Sequence, residues 1–302
     1  AQKKAKSHKS GKKTGDSGGV EETPSDIQDK KSSGKKLTEE EKCFVGWDYC
    51  GQNNVTVDSG NVTVKARGKN GSFNLYSKDF DGKGTPVLSS YDEFTRTSFY
   101  LKAGKRVFKL ADGAGVKSSC GKTDNGVRIY YSIQNVAQVV VDLQIIKSEE
   151  SRDADMVKIS SSVKSLKKKK DEFGLKICMD TELGEKNIYH FYTSDGLPVK
   201  SELAFHTGTK PKWIQSGNEL TSLQVLLSGA DITEQDVISV ASFSTINTLE
   251  WIPPVQSSRA FDNVLSYNNS AVGINWIPKM LEPGEEFFEL FYMTFSPYPL
   301  SV

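Results

Sequence analysis

The side chains best suited to chemistry in this chain are three carboxylates on one short stretch, Asp180, Glu182 and Glu185, followed by His190, Glu202 and His206. Two imidazoles and a carboxylate converging on a cleft can move protons on a sugar hydroxyl or ring oxygen. Groups of this kind also occur in purely structural networks, so the bare spacing leaves both roles open. Four tryptophans, Trp47, Trp213, Trp251 and Trp276, could offer flat amphipathic platforms to a carbohydrate. Trp276 sits in an alternating run and reads as core. Trp213 and Trp251 lie beside Pro211 and Pro253 in loop-like sequence, where protein or sugar contact and ordinary packing are both open. Arg259 reads as the charge most firmly held, clamped by Asp180 or Glu182.

The elements that must position these groups are strands. Residues 155–163 alternate apolar and polar, residues 164–172 form a polar connector, and residues 173–185 begin apolar and end in carboxylates. Two antiparallel strands joined as a hairpin are the simplest reading. Lys167, Lys168, Lys169 and Lys170 then cap its tip, as solvated lysines or as weak contacts for an acidic partner. Short alternating runs at 55–57, 62–66 and 72–76 are separated by Gly, Asp and Asn, which signals a meander or sandwich. The runs at 127–133 and 136–146 have the highest β-branched content. Residues 223–227, 237–243 and 271–276 continue the sheet. A Pro-Gly turn at 283–284 precedes a last strand, 287–295, which is apolar on both faces and belongs in the middle of a covered sheet. Residues 38–41 and 233–236 match capping boxes for single helical turns. The chain therefore reads as all-β, a large antiparallel β-sandwich over residues 42–302.

Residues 1–41 are crowded with Lys, Ser, Gly and Asp and hold too little apolar surface to offset their ordering entropy. They read as a disordered basic tail, either a solvated spacer or an arm for an acidic neighbour. The 302-residue chain is 36% apolar and 25% charged with a net charge of +1, which argues against nucleic acid as the main partner. No apolar stretch is long enough to span a bilayer, so membrane insertion is not expected. Starting at Ala1 without methionine fits an exported form whose leader has been removed.

The four cysteines, Cys43, Cys50, Cys120 and Cys178, lack Cys-x-x-Cys spacing, so neither a zinc site nor a disulfide scaffold is indicated. One disulfide among Cys43, Cys50 and Cys120 is open, and Cys178 reads as a buried thiol. The acidic loop 79–84 lacks the later ligands of a calcium loop, and Asp-Gly there serves as turn chemistry. The triplets starting at Asn54, Asn61, Asn70 and Asn268 read as turn and strand residues. There is no nucleophile elbow, P-loop or dinucleotide fingerprint, and no cofactor is expected.

Residues 173–185, Arg259-Ala-Phe261 and residues 267–278 closing on Leu281-Glu-Pro-Gly-Glu285 resemble a group of spirochaete exported proteins with a galactose-mutarotase-like β-supersandwich build. Within that group the chain is most similar to proteins associated with the sheath of the periplasmic flagellum, over roughly residues 125–300. The resemblance implies a non-catalytic periplasmic component that packs on other sheath or filament proteins and contributes to filament curvature and motility. It assigns Asp180, Gly184, Arg259, Pro283 and Gly284 to architecture and supplies no catalytic residue. The alternative from the residues themselves is a carbohydrate-binding or mutarotase-like protein.

Overall fold

The computed structural model describes residues 33, 34, 36, 54–78, 81–91, 93–261 and 269–296. The expected tail, the capping turn at 38–41, the start of the ordered fold at Cys43, Trp47, Cys50, Asp79, Phe80, Tyr267 and Asn268 lie outside this set, Ser33, Gly34 and Lys36 of the tail aside.

Every strand pairing is antiparallel. Strands β1 (Asn54–Ser59), β2 (Val62–Arg67), β3 (Ser72–Lys78) and β4 (Gly84–Pro86) form one sheet in sequence order. Next come β5 (Thr97–Ala103), β6 (Arg106–Lys109), and the meander β7 (Val116–Thr123), β8 (Gly126–Ile133), β9 (Ala137–Ile146) and β10 (Met156–Ser165). After β11 (Asp171–Asp180) follow the short β12 (Phe191–Thr193), β13 (Pro198–Val199) and β14 (Leu203–His206), then β15 (Trp213–Gly217), β16 (Ser222–Leu226) and β17 (Gln235–Ser242). A single helical turn, α1 (Phe243–Ile246), and a strap described over residues 247–261 precede β18 (Ser270–Trp276), β19 (Lys279–Leu281) and β20 (Glu286–Ser296). The second sheet runs β13-β12-β15-β16-β20-β10-β9-β8-β7, and the third runs β14-β17-β18-β11-β5-β6 with β19 beside β11.

The expected hairpin at 155–180 is instead a crossing between layers. Strand β10 is bonded to β9 and β20, whereas β11 is bonded to β5, β18 and β19. The reason lies in the side chains. In β10 only alternate residues are buried, as suits a strand with one face toward solvent. In β11 everything from Phe173 to Asp180 is buried, which a two-stranded ribbon at the surface cannot provide. Residues 166–170, with their four lysines, span the gap between the sheets. Backbone bonds from Ser165 N to Glu285 O and from Gly284 N to Ser165 O fix where β10 ends.

One set of alternate residues from each of the two large sheets fills the space between them. Val139, Val141, Val157, Ile159, Phe291 and Met293 from the nine-stranded sheet meet Phe173, Leu175, Ile177, Val272, Ile274 and Trp276 from the other, within one continuous apolar core. Each such side chain contributes about 1.5–3 kcal/mol by leaving water. Trp276 is core, as expected. Strand β20 does lie mid-sheet, but it is not apolar-covered on both faces. Phe287, Phe291, Met293 and Phe295 point inward, while Phe288 on the opposite face is 65% exposed. Residues 233–236 form no helical turn: Thr233 instead bonds Leu290 through both its N–H and its hydroxyl, and β17 starts at Gln235. Among the described residues no helix is long and apolar enough to cross a membrane.

The outer face of β11 carries Gly174, Lys176, Cys178 and Asp180, and the strap after α1 covers it. Phe243 and Ile246 pack on Tyr100, Cys178 and Ala271 in a second, smaller apolar cluster. Trp251 lies over Gly174, and a Cβ at that position would meet the indole Cη2 and Cζ2 at 2.8 Å and Pro278 Cγ at 3.3 Å. Gly174→Val is therefore expected to lose about 1–3 kcal/mol of unfolding free energy in urea titrations. Adding Trp251→Ala should recover part of that loss, since it vacates the space the new side chain needs.

Candidate functional site

The turn that follows β11 folds back on itself. Glu185 N bonds Glu182 O at 3.3 Å and Asn187 N bonds Gly184 O at 3.0 Å. Gly184 lies against the backbone of His190, where a Cβ would fall on the His190 carbonyl and crowd Ser216 Oγ. Only glycine permits that approach, and it brings Glu185 and His190 to the wall of one cavity of about 660 Å³. Lys186, Tyr189, Lys200 and Phe261 complete much of its lining.

The aromatic side of this cavity is a stack of rings. His190 lies 5.4 Å from Phe261, Phe261 lies 5.7 Å from Phe191 edge-on, and Tyr189 meets Tyr192 edge-on at 6.2 Å. Lys200 Nζ sits 5.9 Å from the Tyr189 ring centre. Burial lowers the His190 pKa, so the imidazole is neutral at neutral pH, and its Nδ1 has no hydrogen-bond partner among the described residues.

Glu185 is buried, and burial, reinforced by the nearby Asp180, pushes its pKa up to about 8 even though Ser270 N–H donates to Oε1 at 3.1 Å. Asp180 is only 1% exposed, and burial raises it to about 7 against the pull of Arg96, whose Nη1 lies 3.4 Å away. Arg96 also donates to Asn269 Oδ1 at 3.2 Å and lies over the Phe243 ring. At neutral pH the cavity wall thus presents a protonated Glu185 carboxyl and an uncharged imidazole, which are directional partners for hydroxyl groups.

The other sequence candidates are elsewhere. Arg259 clamps Glu202, not Asp180 or Glu182. Its Nη1 donates to Glu202 Oε1 at 3.1 Å, and Glu202 also accepts from Ser242 N, Thr245 Oγ1 and Gln256 N. Fully buried and engaged by four donors, Glu202 is a tie between β14, α1 and the strap, with no role in the cavity. The sequence could not place Arg259 because its position depends on how the strap returns: Glu202 N bonds Arg259 O at 2.8 Å, docking the strap on β14. Glu182 accepts from Ser90 N at 2.9 Å. His206 is exposed at the end of β14 in the other large sheet, so the two-imidazole constellation is not assembled.

Trp213 begins β15 and is half-buried, and Trp251 is half-buried against Gly174. In the inter-sheet connector Lys167 pairs with Asp171 and Lys170 with Glu282, while Lys168 and Lys169 are exposed. Cys120 and Cys178 are both buried, on β7 and β11. Composition did not single out Tyr189, Lys200 or Phe261 for the cavity, nor Arg96 as the partner of Asp180. Only Phe261, adjoining Arg259 in a quoted motif, carried any signal.

No family model and no curated protein sequence matches this chain. Among solved structures, a galactose mutarotase-like protein from Lactobacillus casei is similar at 8% identity and a TM-score of 0.48, over 81% of this chain and 100% of that one. A galactose mutarotase related enzyme from Lactobacillus acidophilus gives 8% and 0.49 over 82% and 98%. A putative aldose 1-epimerase from Escherichia coli gives 12% and 0.45 over 81% and 99%. The structural neighbours are thus galactose mutarotase-like proteins, and at these scores the likeness carries no functional argument.

Two outcomes follow from the geometry. Arg259→Ala strands a buried carboxylate and is expected to cost about 3–5 kcal/mol in urea unfolding, with Glu202→Gln in the same background recovering part. Because the folded-state pKa values of Asp180 and Glu185 are raised, their protonated forms favour folding. That contribution is complete below about pH 4 and is lost as pH rises through about 7 and 8. Unfolding free energy measured across pH 5–9 should fall over this range, and Asp180→Asn with Glu185→Gln should flatten the profile.

Proposed function

We propose that the chain is a non-catalytic carbohydrate-binding β-sandwich protein whose sugar site is the cavity of Glu185, His190, Lys200 and Phe261. The observation that carries this reading is the pairing of an uncharged carboxyl and an uncharged imidazole with the Tyr189 ring in the lining of one cavity, Phe261 backing the imidazole. A sugar has an apolar face that suits an aromatic ring and an edge of hydroxyls that suits fixed neutral donors and acceptors.

Binding is favoured over turnover because proton transfer across a sugar ring needs an acid and a base on separate sides. Here Glu185 and His190 belong to one folded-back turn, and His206 and Glu202 lie outside it. The sheath-packing role implied by the resemblance has less support. Two of its four lysines, Lys167 and Lys170, are already matched within the chain by Asp171 and Glu282.

Calorimetric titration with D-galactose and D-glucose tests the reading. One of them is expected to bind, about fivefold more weakly after Tyr189→Ala. Affinity should also decline as pH rises through about 8, where Glu185 loses its proton. Absence of binding by both sugars would remove the reading. Faster interconversion of the sugar's anomers in the presence of the protein would remove its non-catalytic part.

A further inference from the structure

The register of the nine-stranded sheet defines a second surface, sharing no lining residue with the cavity above. Directly paired residues of neighbouring strands point to the same face. Phe288 of β20 pairs with Ser162 of β10, Ser162 with Val140 of β9, and Val140 with Tyr130 of β8. In the next row Leu290, Ser160, Asp142 and Arg128 pair in the same way. The inward residues of these strands, among them Phe287, Val163, Val141 and Ile129, are in the core, so both rows face outward.

The floor of this surface is therefore small, and its walls are large. Phe288, 65% exposed, and Tyr130, only 5% exposed, lie three strand spacings apart, about 14 Å at the usual separation of paired strands, so Phe288 is the open wall and Tyr130 closes the far end. Between them lie Ser162 and Val140, and the groove so formed has a volume of about 260 Å³. Along one side Arg128 grips Asp142 in a fork, Nε to Oδ1 at 2.6 Å and Nη2 to Oδ2 at 3.0 Å, and Nη1 lies 3.4 Å from the Tyr130 hydroxyl. The fork is held rigid, yet a guanidinium has five N–H donors and each carboxylate oxygen a second lone pair. Among the described residues three of the donors are engaged, which leaves two N–H groups and further acceptor positions for a ligand.

The geometry points to this groove as a carbohydrate-binding subsite, with one pyranose ring laid on Phe288 and a pair of neighbouring hydroxyls read by the Arg128–Asp142 fork and by Ser160 and Ser162. A planar donor–acceptor pair matches two adjacent hydroxyls, and an aromatic ring 65% exposed on an otherwise mixed polar face supplies the flat apolar contact. The subsite stands on the sheet register, the fork and the exposed Phe288 ring, and does not depend on the cavity at Glu185.

The test is nitrogen-15 NMR of the arginine Nε–H groups in the full chain, with the Arg128 signal identified by its loss in Arg128→Lys. Titration with D-glucose, D-galactose and methyl β-D-glucoside is expected to shift the Arg128 signal saturably with at least one of them. Phe288→Ala, at an exposed position, should weaken that binding about fivefold or more. Ser162→Gln, which fills the floor, should abolish it, and Tyr189→Ala in the other cavity should leave it unchanged. No shift with any of the three sugars would overturn the inference, as would full affinity in Phe288→Ala. Self-association in sedimentation that Phe288→Ala abolishes would overturn it too, by making the groove a contact between copies of the chain.

Discussion

A strand buried on both faces must satisfy every polar group it carries from within the protein, and β11 is that strand. Its inner face is apolar and joins the main core. Its outer face holds Lys176 and Asp180, both essentially without solvent. Lys176 solves the problem through backbone: its ammonium donates to the carbonyls of Thr248 and Glu250 at 2.8 Å each and lies 4.4 Å from the Tyr100 ring centre. Burial lowers its pKa to about 8. Those two carbonyls belong to the strap, so the route of the strap is dictated by a charge that would otherwise be stranded.

The cavity is a downstream result of the same constraint. Asp180 is the last residue of β11, and the turn toward the cavity follows it. Burial raises its pKa to about 7 against the pull of Arg96, and the charge it gains on ionising holds the proton on Glu185 more firmly. The strap that covers Lys176 also carries Arg259 to Glu202 and sets Phe261 against His190. Packing on one side of the sheet thereby fixes the aromatic wall at its end, which is how a structural network and a binding cavity share residues.

Much of this is legible in the sequence because alternation reports burial of one face. The runs at 127–133, 136–146, 155–163 and 271–276 are strands within a residue or two of where their side chains place them. What alternation does not report is which sheet a strand joins. Residues 156–165 and 171–180 are neighbours in sequence and strangers in hydrogen bonding; the only cue was that the second run is apolar at successive positions. The candidate site was half visible. Glu185 and His190 stand out by type, but the fold-back at Gly184 that unites them depends on a contact with a backbone carbonyl. Arg96, Lys200 and Phe261 reach the region from distant segments that no local pattern ties to it.

The position of β20 has a consequence for how the chain acquires its structure. Of the described strands of the nine-stranded sheet it comes latest in sequence, yet it sits between β16 and β10 and supplies the bonds that join the β13-to-β16 half of that sheet to the β10-to-β7 half. Until those residues leave the ribosome the two halves have no shared backbone ladder, and each presents an open edge. Sheet closure is thus a late, long-range event, and until then the chain depends on whatever keeps two unpaired edges from finding other partners.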